Sequence, residues 1–365
     1  MEVIPQFRSY VDLSDHDYLR RVFEERYIAE GRFAQEFQSQ LLRIIGAPYG
    51  CLASNGTIAL YLALKALGIG PGDEVIVQNI TFIASANAVH MTGATPRFAD
   101  VKGFNDLTLD LDRLEVTPRT KALMACHLFG TACSNIEEIR SYCADRGLLL
   151  VEDAAQALAI KNRQGAHCGT FGETGTFSFY ADKTITTAEG GFVVTGQEEV
   201  YERMVYLRNQ GRKSSGTFVH PEIGYNFRMN NILACLGLSQ LSKLEYISAQ
   251  KQEIHERYHS FLGDAVDYLV IRNDFTYIPF RVVVFVRNAA AVMDYMKERG
   301  IEGRSMFYPL HRQPCYVKLG YNDSGFRHSL ECFNRGICLP TWVGLTEEQV
   351  RYVSETLKEA LVKTR

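Results

Sequence analysis

The chain has 365 residues, more than a single hydrophobic core usually serves, so two domains, or one large domain with a satellite, are expected. Its 46% hydrophobic and 22% charged residues are those of a globular protein and exclude wholesale disorder. A net charge of −3 without a basic block argues against nucleic acid or an anionic membrane as the main partner.

The opening stretch, MEVIPQFRSYVDLSDHDYL, lacks the basic-then-apolar order of a signal peptide, and no apolar run approaches a membrane span. Residues 54–69 read as a helix with Ser54 as its N-cap, followed by a Pro71-Gly72-Asp73 turn. A short apolar strand over 74–77 leads to an Ala-rich helix over 81–91, which Gly93 ends. Strand-like segments follow at 95–100 and 121–128. An amphipathic helix over 136–146 stops at Gly147, and a buried strand over 148–151 runs into two acids, Glu152 and Asp153. Strands at 175–180 and 191–195 flank a Thr-rich loop, and 198–208 is helical. Alternating short strands and helices imply an α/β domain with a mostly parallel sheet. Residues 230–262 read as one long helix. Beyond about 263 the texture changes to a strand-rich stretch (277–286), a helix (289–299), a loop (302–316) and a closing amphipathic helix (346–361). The expected division is a large domain over 1–245 and a smaller α+β domain over 246–365. Nine cysteines with no CxxC pair read as free thiols in a reducing cytoplasm, and no metal site is expected.

Candidate chemistry gathers at strand ends. In open parallel sheets, ligands bind beyond the carboxyl ends of the strands, where Asp153 stands. Taken alone, Asp153 is as readily an N-cap for the residues after it. Lys183 sits in TFSFYADKTITTAEGG (176–191), a polar loop in which an isolated lysine is normally a solvated surface group. The combination reads differently. A pyridoxal-phosphate (PLP) site needs a lysine, a carboxylate for the pyridine nitrogen, and hydroxyls with backbone N–H groups at a helix start for the phosphate. Lys183, Asp153, the Ser54-Asn55-Gly56-Thr57 helix start and Ser178 can supply them.

These motifs resemble the DegT/DnrJ/EryC1/StrS sugar aminotransferases, of PLP fold type I. The resemblance rests on SNGTIAL (54–60), GPGDEVIV (70–77), TFIASANAV (81–89), VEDAAQAL (151–158), TFSFYADKTITTAEGG (176–191), LRNQG (207–211), GYNFRMNNILACLGLSQL (224–241) and FYPLH (307–311). It implies that Lys183 carries PLP as a Schiff base and shuttles protons. Asp153 would pair with the pyridine nitrogen, Gln156 would bond near the ring hydroxyl, and Phe82 would stack on the ring. Gly56, Thr57 and Ser178 would hold the phosphate. Asn226 would reach it across a homodimer interface. Glutamate would leave pyridoxamine phosphate, whose amine passes to a nucleotide-linked keto-sugar.

The stretch 304–311 resembles the loop of members that aminate C4, which favours a GDP-, dTDP- or UDP-linked 4-keto-6-deoxyhexose, with perosamine formation on GDP (an O-antigen sugar) first. Tyr308, His311 and Arg228 are candidates for the sugar nucleotide. Arg208, Lys213 and Arg312 are further candidates for its pyrophosphate or for glutamate. C3 amination, another keto-sugar aminotransferase of the same family, and a non-catalytic regulator with the same fold are the alternatives. Dehydrating relatives carry His at the lysine, which Lys183 argues against. The chain departs from the pattern at Gln78-Asn79-Ile80, at Ala159-Ile160 where many have Gly-Ala, at Ala181-Asp182, and at Ala188 in place of the commoner Gly.

Overall fold

The computed structural model describes residues 3–212 and 218–364. Two helices open it, α1 (Leu13–Glu25) and α2 (Arg32–Ile45). The main sheet takes strands β1 (Tyr49–Ala53), β2 (Glu74–Gln78), β3 (Thr95–Ala99), β4 (Thr120–Cys126), β5 (Leu149–Asp153), β6 (Thr174–Ser178) and β7 (Gly191–Thr195). Interleaved with them are α3 (Gly56–Ala66), α4 (Ala84–Met91) and α5 (Ile136–Arg146). The spatial order is β1-β7-β6-β5-β4-β2-β3. Only β7 runs against the rest, pairing antiparallel with β1 and β6. The sheet is therefore mostly parallel, and its carboxyl ends gather Asp153, Ser178 and the loop after β1 on one side.

After β7 come α6 (Glu198–Arg208), α7 (Asn231–Ser242) and α8 (Leu244–Leu262). The single helix expected over 230–262 is thus two, broken at Lys243. That ammonium leaves the helical line to bridge Asp12 and Asp15 of the α1 cap, at 3.0 Å from each. A second sheet, ordered β10-β11-β9-β8, is built from β8 (Asp267–Tyr268), β9 (Val282–Phe285), β10 (Arg304–Ser305) and β11 (Gly336–Leu339). It packs with α8, α9 (Ala289–Lys297) and α11 (Glu347–Lys363) around Tyr258, Val284, Leu339 and Val353. The helix α10 (Arg327–Arg335) leads into β11.

The N-terminal segment ties the two sheets together. Ile4 pairs with Ile301, the Trp342 indole donates to the Pro5 carbonyl at 3.1 Å, and the Ser9 hydroxyl donates to the Ala181 carbonyl beside the lysine loop.

Helix ends follow local chemistry. Gly147 ends α5 with φ +64, as its sequence position implies. The cap of α3 is Asn55, whose Oδ1 accepts from the Ile58 N–H at 2.9 Å, so Ser54 lies one residue outside it. The two Gly-to-Ala departures from the family pattern share one geometry. Ala159 and Ala188 both sit at φ +65, where a Cβ crowds the following carbonyl. Restoring glycine at either position is expected to raise stability by about 1 kcal/mol, reduced somewhat by glycine's greater freedom when unfolded. Chemical denaturation of Ala159→Gly and Ala188→Gly would check this, and a fall in midpoint for both would refute it.

Candidate active site

The helix start, the β5 and β6 ends and the lysine loop meet at the carboxyl side of the main sheet. Gly56 opens α3 so close to Ser178 that a Cβ there would lie 2.8 Å from the serine Cβ and 2.9 Å from its Oγ. Asn55 occupies the Ile58 and Ala59 N–H groups through its side chain and carbonyl. The Gly56 and Thr57 N–H groups, with no earlier turn to bond, point out of the helix start beside the Ser178 hydroxyl. This is a small cradle of N–H and O–H donors, suited to an anion.

Asp153 ends β5 and is buried. Its Oδ2 accepts from the Ser85 hydroxyl at 2.7 Å and its Oδ1 from the Ala155 N–H at 3.1 Å. Ser85 belongs to α4, in the run that also contains Phe82. Its hydroxyl is the partner that sequence reading misses, because a serine among alanines carries no signal of its own. Gln156 accepts from the Phe129 N–H through Oε1 at 2.7 Å, which fixes the amide orientation and leaves its Nε2 donors to serve a ligand. Phe129 takes a positive φ of 56° and stacks on Phe307 at 5.3 Å, and Phe307 lies 6.0 Å from Phe82. Phe82 is 55% exposed, unusual for a phenylalanine in such a dense region, and its ring is available to a planar group.

Lys183 is half-buried in the loop after β6, its N–H closing a turn onto the Tyr180 carbonyl. Its Nζ rests 4.8 Å from the centre of the Phe280 ring. Burial lowers the pKa of the amine, Asp182 and Asp153 oppose the shift, and Arg281 adds to it. An amine held this way is a nucleophile and a proton carrier rather than a fixed cation.

The remaining candidates are spread more widely. Asn226 is exposed and accepts from Arg228 Nε at 3.1 Å. Tyr308 is exposed beside Phe333. His311 is buried, with Nδ1 against the Asn79 side chain and Nε2 3.1 Å from Asp323, and its ring stacks on Phe326. Asn79, in the Gln78-Asn79-Ile80 stretch, accepts the His311 N–H at 2.9 Å and so anchors that loop. Arg208 is buried against Glu30 at 2.6 Å, and Arg312 pairs with Asp323. Lys213 lies outside the described residues.

The arrangement fits PLP on three counts. The Gly56–Ser178 contact sets the helix-start N–H groups against a hydroxyl, the donor chemistry a phosphate needs. Asp153 is buried as an acceptor of two hydrogen bonds, the form that can face a protonated ring nitrogen. Lys183 carries an amine whose surroundings disfavour its charge. Among the described residues no three His, Cys, Asp or Glu side chains are grouped to hold a metal, and no helix is long and apolar enough to cross a membrane.

Comparison with known proteins points the same way. A model of the DegT/DnrJ/EryC1/StrS aminotransferase family matches residues 10–358. The chain is 36% identical to a GDP-perosamine synthase of Escherichia coli O157:H7, over 98% of its own length and 99% of that protein's. It resembles the crystal structure of an aminotransferase, TlmJ, from Streptoalloteichus hindustanus with a TM-score of 0.93 at 27% identity, covering 100% of both chains. The PLP form of a sugar aminotransferase from Streptococcus pneumoniae gives a TM-score of 0.92 at 25% identity, again covering 100% of both.

Proposed function

Because the chain belongs to the DegT/DnrJ/EryC1/StrS aminotransferase family and is a PLP-dependent sugar aminotransferase, we propose that it moves the amino group of glutamate to C4 of a nucleotide-linked 4-keto-6-deoxyhexose, the GDP-linked sugar of perosamine formation first. The observation that carries the chemistry is the meeting of the Lys183 amine, the Asp153 carboxylate and the Gly56–Ser178 cradle on one side of the sheet. The likeness over nearly full length to GDP-perosamine synthase supports the sugar.

When bound, PLP supplies an electron sink for negative charge on the substrate carbon. Asp153 would keep that sink effective by facing the ring nitrogen, with Ser85 fixing its Oδ2. The Gly56 and Thr57 N–H groups and the Ser178 hydroxyl would hold the phosphate. Gln156 would donate from Nε2 near the ring hydroxyl, and Phe82 would cover one face. Lys183 would hold the group covalently at rest and, once freed, carry a proton at Nζ to and from the reacting carbon. Asn226 and Arg228 would complete the phosphate or substrate contacts across a homodimer interface. Tyr308 would face the sugar, and His311 would act through the loop that it and Asn79 hold down.

A panel of nucleotide-linked 3-keto and 4-keto sugars, each with glutamate, tests this by mass spectrometry of the products. The GDP-linked 4-keto sugar is expected to gain an amine at least ~100-fold faster than the 3-keto sugars, since a misplaced carbonyl misses the proton carrier. Amination of the 3-keto sugars alone would overturn it.

A further inference from the structure

A buried charge cluster shares the Phe280 ring with Lys183. Lys251, on α8, is buried, and its Nζ lies 6.0 Å from the centre of the same Phe280 ring and 3.5 Å from the Phe280 carbonyl. Arg281 is also buried, with its guanidinium 4.3 Å from that ring and 2.7 Å from Asp182 Oδ2. Asp182 Oδ1 is buried and has no hydrogen-bond partner among the described residues. Three basic side chains thus share one ring and one neighbouring carboxylate. Asp153, the other acid that acts on Lys183, is already committed to Ser85 and Ala155. Arg304 and Cys338 are the further charged or titratable groups facing Arg281.

Buried cations outnumbering their anions are costly, and arginine cannot relieve the cost by losing its proton. The two lysines can. We propose that Arg281 and Lys251 are positioning residues for Lys183: together with Asp182 they set the charge state of its amine through the Phe280 ring, Arg281 and Lys251 favouring the free base and Asp182 opposing them. The shifts agree in direction. Burial, aided by Arg281 and opposed by Asp182, brings Lys251 to about 7, and the same two neighbours act in the same senses on Lys183. The proposal rests on Lys183 being the PLP-bearing residue.

The test is pH-dependent trace labelling of lysine amines in the full-length chain after removal of PLP, read peptide by peptide by mass spectrometry. Lys183 is expected to label with a midpoint below that of the exposed lysines. Lys251→Met and Arg281→Met are expected to raise its midpoint by about one pH unit, a roughly tenfold loss of reactivity near neutrality. Asp182→Asn is expected to lower it. Merely structural residues would not shift one amine in opposite senses. Lys251→Met keeps the test open should Arg281→Met fail to fold, since it leaves the Asp182–Arg281 pair intact. An unchanged Lys183 midpoint in folded Lys251→Met and Asp182→Asn proteins would overturn the proposal. Borohydride reduction of the PLP-loaded protein, followed by peptide mapping, separately asks whether PLP sits on Lys183. Its failure would remove the functional reading and leave the labelling result standing.

Discussion

Lys183→Ala is expected to lower the rate of amino transfer by roughly 10⁴-fold, the upper end of what one proton-transferring side chain contributes. The variant loses both the covalent anchor and the group that carries the proton at the reacting carbon, and no neighbour can substitute. Lys251 also lies near the Phe280 ring, but its Nζ rests against the Phe280 carbonyl at 3.5 Å. Asp182 is turned to Arg281. The fold should survive, because Lys183 is half-buried and the alanine removes an amine whose charge burial disfavours. Single-turnover measurement of product, beside a thermal melt within a few degrees of the parent, separates chemistry from folding. Activity within tenfold of the parent would refute the role.

The second large effect lies one residue before Asp153 and concerns stability. Glu152 is fully buried and accepts four hydrogen bonds. Oε1 takes the Phe171 and Gly172 N–H groups at 2.6 and 2.7 Å, and Oε2 takes the Gly169 N–H at 2.7 Å and His127 Nε2 at 2.9 Å. His127 Nδ1 accepts from the Cys133 N–H at 2.9 Å, so its proton is on Nε2, facing the carboxylate. Glu152→Ala strands three main-chain donors and an imidazole N–H at once. At about 1–3 kcal/mol for each unsatisfied buried group, and with partial relaxation, a loss of roughly 4 kcal/mol is expected, a large fraction of a typical folding free energy. Urea unfolding followed by circular dichroism would measure it. A loss below ~1 kcal/mol would show that water replaces the carboxylate.

The adjacent acids of VED therefore do different work: Glu152 holds the 169–172 turn to β5, and Asp153 faces the site. Strand alternation alone puts them on opposite faces without saying which face meets the helix α4; only the family resemblance picks out Asp153. Elsewhere local signals suffice. The amphipathic α5 with its Gly147 stop, the short β7 and the helix α6 are legible from pattern and caps alone. The elements that escape reading depend on distant partners. The helix α1 buries only Asp15 and Val22 and owes its place to Lys243 and α7. The break at Lys243 is invisible until Asp12 and Asp15 arrive from the other end of the chain. The fold class and the dependence on PLP are readable as a family pattern. Ser85, Arg281 and Lys251 reach the site across long sequence separations and carry no motif.

The tether at the start of the chain has a consequence for the order of events during synthesis. Ile4 and Pro5 are synthesised long before their partners, Ile301 and Trp342. The main sheet can assemble as its strands emerge, since β1 to β7 are complete by residue 195. The lysine loop cannot be braced in the same way until Ile4 and Pro5 have docked and Ser9 has closed onto Ala181. A chain that lacks residues 301–342 would then hold a formed sheet with an unbraced Lys183, so cofactor capture should follow the synthesis of that stretch rather than that of the main sheet.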